Sequence, residues 1–333
     1  MNCNKDDGED EEEEQDEQEE EQEEEQEEEQ EEEQEEEQEE EQEEQEEESS
    51  SGYGDKDVVC YFINWAWYRT GDGKYSADDV DPTLCTIINY AFAVLDNNKL
   101  KIHDPWADTD QYGGDFFNKI VALKSAAGSR VRKVLLAIGG WNDSAGPEYS
   151  NLVKSATLRA AFNSDALNVL QQYGFDGLDL DWEYPACWQG ACDTSEPDDK
   201  ANFVLWVKEL KELFSPHNML VTAAVSASTS IIEAGYDAAG LAPYLDYLNL
   251  MSYDLHGSWE SVTGHNSPLY SCGAGDLLNT DTAVNAWIDA GFPANKIQMG
   301  LPIYGRSFTL QDSANNGIGA AASGAGTQGE PYS

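Results

Sequence analysis

From residue 58 onward, short apolar and β-branched runs alternate with longer segments of helical periodicity. The runs fall at 58–63, 86–92, 133–138, 177–182, 220–226, 246–251 and 297–302. Helical stretches at 115–126, 164–173, 198–214 and 280–290 separate most of them. A near-continuous apolar strand is buried on both faces, and a helical crossover between successive strands makes their pairing parallel. Seven such units in about 245 residues predict an α/β fold, a (β/α)8 barrel, which typically takes about 250 residues. A doubly wound open sheet is the alternative, but no GxGxxG follows the first run. In a barrel, functional groups belong at the C-terminal ends of the strands.

The first 50 residues lack this pattern. Residues 11–48 are almost wholly Glu and Gln in an EEEQ register, and 49–52 read SSSG. Formal charge is −32 over residues 1–50 and −17 over the remainder. Glu at i,i+4 sets like charge against like, and nothing apolar offsets the entropy of ordering. Residues 1–52 are therefore expected to be a disordered polyacidic tail, and 53–333 the folded unit.

Composition narrows the partners. The acidic balance, with no basic stripe, argues against nucleic acid. No apolar run approaches the roughly 20 residues that span a bilayer, so no membrane segment is expected. Nine Trp and sixteen Tyr, all beyond residue 50, point instead to a neutral surface such as a sugar. Six Cys form no CxxC and four His fall at no zinc-ligand spacing, so no metal site is expected. The cysteines suit either disulfides or free thiols, because the polar, acidic first ten residues do not read as a signal peptide.

The segment GFDGLDLDWEYP at 174–185 carries the chemistry. Strand side chains alternate, so Asp179, Asp181 and Glu183 share one face, and Leu178, Leu180 and Trp182 the other. Three carboxylates stacked inside a barrel cannot all ionise cheaply, so at least one must hold its proton more tightly. Glu183, nearest the open end, is the one placed to donate a proton. A calcium or magnesium site is the competing use of three carboxylates.

The D-x-x-D-x-D-x-E pattern filled by Asp176, Asp179, Asp181 and Glu183 resembles the active-site signature of family 18 glycoside hydrolases, the chitinases. Other segments resemble the same family in order. They are VCYF at 59–62 with NWAWYR at 64–69, NYAF at 89–92, LAIGGWN at 136–142, MSYD at 251–254 with HGSW at 256–259, and GLPIYGRSF at 300–308. The likeness is strongest to animal, arthropod-type members and covers residues 58–333.

The resemblance implies hydrolysis of β-1,4-linked N-acetylglucosamine in chitin or chitooligosaccharides, without cofactor, by an extracellular monomer. It also implies that the substrate's own 2-acetamido oxygen is the nucleophile and that the anomer is retained. Glu183 would be the acid and base, and Asp181 would orient the acetamido group and stabilise the developing charge. Asp179 would hold a proton shared with Asp181, and Tyr253 would bond the acetamido carbonyl. Gly139, Gly140, Trp141, Asn142, Tyr184, Met251, Asp254, Tyr61, Phe92, Trp106, Tyr304 and Arg306 would line the sugar cleft, with Asp176 supporting the motif. A Cys60–Cys85 disulfide is implied too. Cys187 and Cys192, flanking a short loop, could form a second bridge, which leaves Cys272 over. The family continues into an inserted α+β domain and an eighth strand; here residues 311–333 resemble only the start of that insertion, so a seven-stranded, incomplete barrel is expected.

Three other readings share parts of this pattern. A chitin-binding lectin keeps the barrel but lacks the acid at the position of Glu183. An endo-acting enzyme on the chitobiose core of N-glycans has the acid but fewer aromatics. An interaction protein would act through the acidic tail.

Overall fold

The structure, a computed structural model, describes residues 56–327 apart from 193–195, 272, 274 and 275. The expectations for the tail at 1–52 and for Cys272 lie outside the described residues, as do residues 328–333.

Strands β1 (Val59–Ile63), β2 (Ile87–Asp96), β3 (Lys99–Ile102), β4 (Lys133–Gly139), β5 (Gly177–Asp181), β6 (Leu220–Ser226), β7 (Tyr247–Met251) and β8 (Ile297–Met299) form one sheet. Along the order β1-β2-β4-β5-β6-β7-β8 every pairing is parallel. These seven strands form a partial (β/α)8 barrel. Among the described residues, no strand pairs with the free edges of β1 and β8. The arc nevertheless curls far round: the Tyr247 hydroxyl at the foot of β7 donates to Asp57, just ahead of β1, at 2.8 Å.

Helices α1 (Pro105–Asp108), α2 (Phe116–Ala122), α3 (Glu148–Val153), α4 (Ala156–Tyr173), α5 (Asp199–Phe214), α6 (Thr229–Gly235), α7 (Ala238–Leu241) and α8 (Thr280–Asp289) lie along the chain between these strands. The core fills the layer between strands and helices. Leu178, Leu180 and Trp182 point there, among Phe162, Phe203 and Trp206. The opposite face of β5 therefore carries Asp179 and Asp181 into the lumen, as the alternation requires.

Two elements differ from the sequence reading. The second strand runs on to Asp96 and turns back as β3. The turn residues Asn97 and Asn98 have φ of 52° and 59°, a left-handed pair that Asn tolerates and that matches hairpin twist. Helix α4 starts at Ala156 rather than 164, because the Ser155 hydroxyl caps it by accepting from the Leu158 N–H at 3.4 Å.

Carboxylates also fasten the feet of the strands. Asp176, just before β5, accepts from the Val134 N–H at 2.8 Å and Lys124 Nζ at 2.6 Å. Asp246, just before β7, repeats the device with the Val221 N–H at 2.8 Å and Lys211. Asp176 thus sits at the opposite end of β5 from the mouth, as a brace between strands. Cys60–Cys85 and Cys187–Cys192 are both disulfide-bonded. Beyond β8, β9 (Phe308–Leu310) and β10 (Ala322–Ala325) form an antiparallel pair. It is docked on the loop after β7 through Val262 and Ala321. No helix among the described residues is long and apolar enough to cross a membrane.

Candidate active site

Strand β5 and the two residues after it deliver the three carboxylates in order of depth. Asp179 is fully buried. Its Oδ2 accepts from the Tyr61 hydroxyl at 2.7 Å, and its Oδ1 from the Thr222 hydroxyl at 2.6 Å and Asn249 Nδ2 at 2.9 Å. Burial raises its proton affinity, while those three donors pull the other way. Asp181, one step up, has no such set of donors. Its Oδ1 is buried with no hydrogen-bond partner among the described residues. Burial, then Glu183, then Asp179 push its proton affinity well up. Asp179 accepts one hydrogen bond on Oδ2 and two on Oδ1.

Glu183 stands at the rim, half-buried. Burial lifts its carboxyl to about 7, opposed by the Tyr184 hydroxyl and reinforced by Asp254. The result is a graded stack: a buried carboxyl anchored by three donors, a second with a bare oxygen and its proton affinity pushed well up, and an acid that exchanges protons near neutrality.

Strand β4 ends against this stack. Gly139 has φ of 117°, and a Cβ there would lie 2.1 Å from the Asp181 carbonyl oxygen, so only glycine fits. The Gly140 N–H donates to that carbonyl at 2.8 Å. Trp141 and Asn142 follow, both exposed. On the far side, Tyr253 and Met251 are half-buried at the end of β7. The Tyr253 ring meets Tyr304 edge-on, with centroids 6.1 Å apart. The proton affinity of Tyr253 is raised by burial first and by Asp181 second, so its hydroxyl stays protonated and can donate beside the carboxylates.

Asp254 is gripped by Arg306 in a two-pronged pair, Nε to Oδ1 at 2.7 Å and Nη2 to Oδ2 at 2.6 Å. The guanidinium also lies 5.4 Å from the Trp259 ring centre and 5.5 Å from that of Tyr304. Other aromatics pair with one another: Phe92 stacks on Trp65 at 5.9 Å and Trp106 on Tyr112 at 4.7 Å. Trp65, Trp106, Trp141 and Trp259 are all exposed. Tyr61, expected in the sugar cleft, is half-buried and donates its hydroxyl to Asp179. Among the described residues no cluster of His, Cys, Asp or Glu is arranged to hold a metal ion.

Residues 57–331 match the family Glycosyl hydrolases family 18. The chain belongs to that family. Over 277 residues it is 45% identical to probable chitinase 10 of Drosophila melanogaster, covering 82% of this chain and 12% of that protein. It therefore spans only a small part of that curated relative. Among solved structures, catalytic domain 2 of the Ostrinia furnacalis Group II chitinase superposes with a TM-score of 0.79 at 46% identity, over 83% of this chain and 71% of that one. Human YKL-39, a pseudo-chitinase with retained chitooligosaccharide binding properties, superposes with a TM-score of 0.72 at 36% identity, over 82% and 73% of the two chains.

For this family 18 member, sequence reasoning missed Thr222 and Asn249. Their signal was available: each is a lone polar residue inside an apolar strand, and a buried polar group needs a partner. It also missed Asp108, which accepts from Asn64 Nδ2 at 2.8 Å and the Tyr90 hydroxyl at 2.5 Å and so pins the loop after β1 to β2 and α1. Ser144 and Gln189 were missed as well, and they lie in loops with no periodicity to read.

Proposed function

We propose that this chain hydrolyses β-1,4-linked N-acetylglucosamine in chitin or chitooligosaccharides by a retaining, substrate-assisted route. The observation that carries this reading is Glu183, a carboxyl at the mouth of a barrel strand with its proton affinity lifted to about 7. An acid so tuned is protonated at the start of the reaction and able to take a proton back later. Glu183 would donate to the glycosidic oxygen as the C1–O bond breaks. The 2-acetamido oxygen would attack C1, and Asp181 below would orient that group and stabilise the positive charge developing on it. Tyr253 would donate to the acetamido oxygen. Water would then open the oxazoline, losing its proton to Glu183, so the configuration at C1 is kept.

Trp141, Tyr184, Tyr304 and the Asp254–Arg306 pair would hold the sugars, with stacked rings for their apolar faces and fixed polar groups for their hydroxyls. Gly139, Gly140, Met251, Asn142, Phe92 and Trp106 complete the cleft in this reading, in a monomeric catalytic unit acting outside the cell. The two disulfides fit an oxidising compartment.

A carbohydrate-binding protein without turnover is the second reading, favoured by the likeness to YKL-39. The presence of Glu183 weighs against it. The deciding experiment incubates the chain with a chromogenic N-acetyl-chitooligosaccharide and follows the product anomer by proton NMR. Release of the β-anomer, abolished in Glu183→Gln with binding retained, is the expected result. Equal cleavage of a substrate lacking the 2-acetamido group would overturn the mechanism, and binding without any cleavage would favour the second reading.

A further inference from the structure

The main chain of Glu183 is held on one side by the loop after β4 and on the other by the loop that follows Glu183 itself. Ser144, almost fully buried on the loop after β4, accepts from the Glu183 N–H at 2.8 Å and donates to the Asp181 carbonyl at 3.3 Å. Gln189 lies in the loop closed by Cys187–Cys192. Its N–H donates to the Glu183 carbonyl at 2.8 Å, and its side-chain Nε2 donates to the Trp141 carbonyl at 2.9 Å. Trp141 and Ser144 share one turn, in which the Ser144 N–H returns to the Gly140 carbonyl at 3.0 Å. Glu183, Gln189, Trp141 and Ser144 are thus linked in a closed ring of main-chain and side-chain bonds.

Resting on the glycosidase reading, we propose that Ser144 and Gln189 are positioning residues that lock the exposed Trp141 ring and the Glu183 carboxyl into one rigid unit. A sugar seated on the ring then meets the acid at a fixed distance. The chemistry of each residue suits the task. A hydroxyl is the smallest side-chain group that serves a carbonyl and an N–H two residues apart at once. The Gln189 amide supplies the N–H donor that a carbonyl in the neighbouring loop requires. Holding a reacting group within a fraction of an ångström is a recognised source of rate, and loss of it is felt far beyond the energy of the bonds removed.

The test uses the full chain, with two variants that read different halves of the ring. Ser144→Ala frees the end of β5, so the Glu183 carboxyl gains access to water and the burial that raises its proton affinity weakens. The groups facing Glu183 are Asp181, Tyr184, Tyr236, Tyr253 and Asp254, and all are unchanged in the variant. Carbon-13 NMR of the Glu183 carboxyl should show its midpoint moving down from about 7 by about half a unit or more. In the same variant kcat should fall about tenfold with KM little changed, and Ser144→Thr should restore both. Gln189→Met keeps the main-chain bond to Glu183 but cuts the link to Trp141. It should weaken binding of N-acetylchitopentaose about fivefold and leave the Glu183 midpoint in place.

A Ser144→Ala chain whose Glu183 midpoint and kcat match the unaltered protein overturns the role of Ser144, and unchanged affinity in Gln189→Met overturns that of Gln189. An unaltered chain that neither binds nor cleaves the oligosaccharide overturns the glycosidase reading instead, while the carboxyl titration still decides the clamp.

Discussion

The Tyr61 hydroxyl donates to Asp179 Oδ2 at 2.7 Å, joining β1 to β5 across the lumen. With Thr222 and Asn249 on the other oxygen, one buried carboxylate gathers four strands of the arc. Removing one donor leaves an oxygen of this buried carboxyl short of a partner, which typically costs about 1–3 kcal/mol. Tyr61→Phe and Thr222→Val should each lose stability of that order in urea unfolding at pH 7. Equal midpoints for variant and parent would show that Asp179 is not an anchor.

Stability should fall as pH rises through neutrality. Unfolded, Glu183 titrates near 4.5; folded, it titrates near 7. The folded chain holds this proton more tightly, so the contribution is full below about 4.5 and lost as pH climbs through about 7. Asp179, Asp181 and Asp108 are shifted in the same direction, each by burial first. Between pH 5 and pH 8 the Glu183 share amounts to about 1–3 kcal/mol. Glu183→Gln should flatten that part of the curve and make the chain more stable than its parent at pH 8. A pH-independent difference between the two would contradict the burial argument.

Much of this was legible in the sequence. The central strands of the arc follow from near-continuous apolar runs and are mainly buried, while β1 and β8 at its free edges are mostly half-buried; the inward stacking of Asp179 and Asp181 follows from a period of two. What escaped was set by contacts between distant segments. Nothing local in Asn142-Asp143-Ser144 announces that its serine reaches the Glu183 N–H, nor in Trp188-Gln189-Gly190 that its glutamine spans to Trp141. The β2–β3 hairpin was different: Asn97-Asn98, flanked by Asp96 and Lys99 with Leu95 and Leu100 just beyond, is a local signal of a left-handed turn, and it was readable. Tyr61 lay where expected, on the first strand, yet its partner could be known only once β5 faced it.

Gly139→Ala should be among the most damaging single-methyl changes in the chain. The new Cβ would meet the Asp181 carbonyl oxygen at 2.1 Å in backbone rather than flexible side chain, and φ of 117° is itself strained for alanine. The strand ends must part, moving Asp181 and Glu183 with them. A loss of about 2–4 kcal/mol is expected from strain and overlap together. Calorimetry checks the stability, and a melting temperature within a degree of the parent would show that β4 and β5 are not in this contact.

Arg306 separates charge from geometry. Its fork meets both oxygens of Asp254, at 2.7 and 2.6 Å, while its plane lies over Trp259 and Tyr304. Lysine keeps the charge but has neither the fork nor the flat face. Because the two side chains are 39% and 35% exposed, solvent screens the pair, and its contribution to folding should be only about 0.2–1 kcal/mol. The effect belongs instead to the cleft, where a loosened Asp254 and an unstacked Tyr304 would no longer present fixed groups to a sugar. Arg306→Lys should therefore leave the unfolding midpoint nearly unmoved while weakening chitooligosaccharide binding about three- to tenfold by isothermal titration. A variant that loses stability and affinity in equal measure would mean that Arg306 holds the loop after β7 together rather than shaping the cleft.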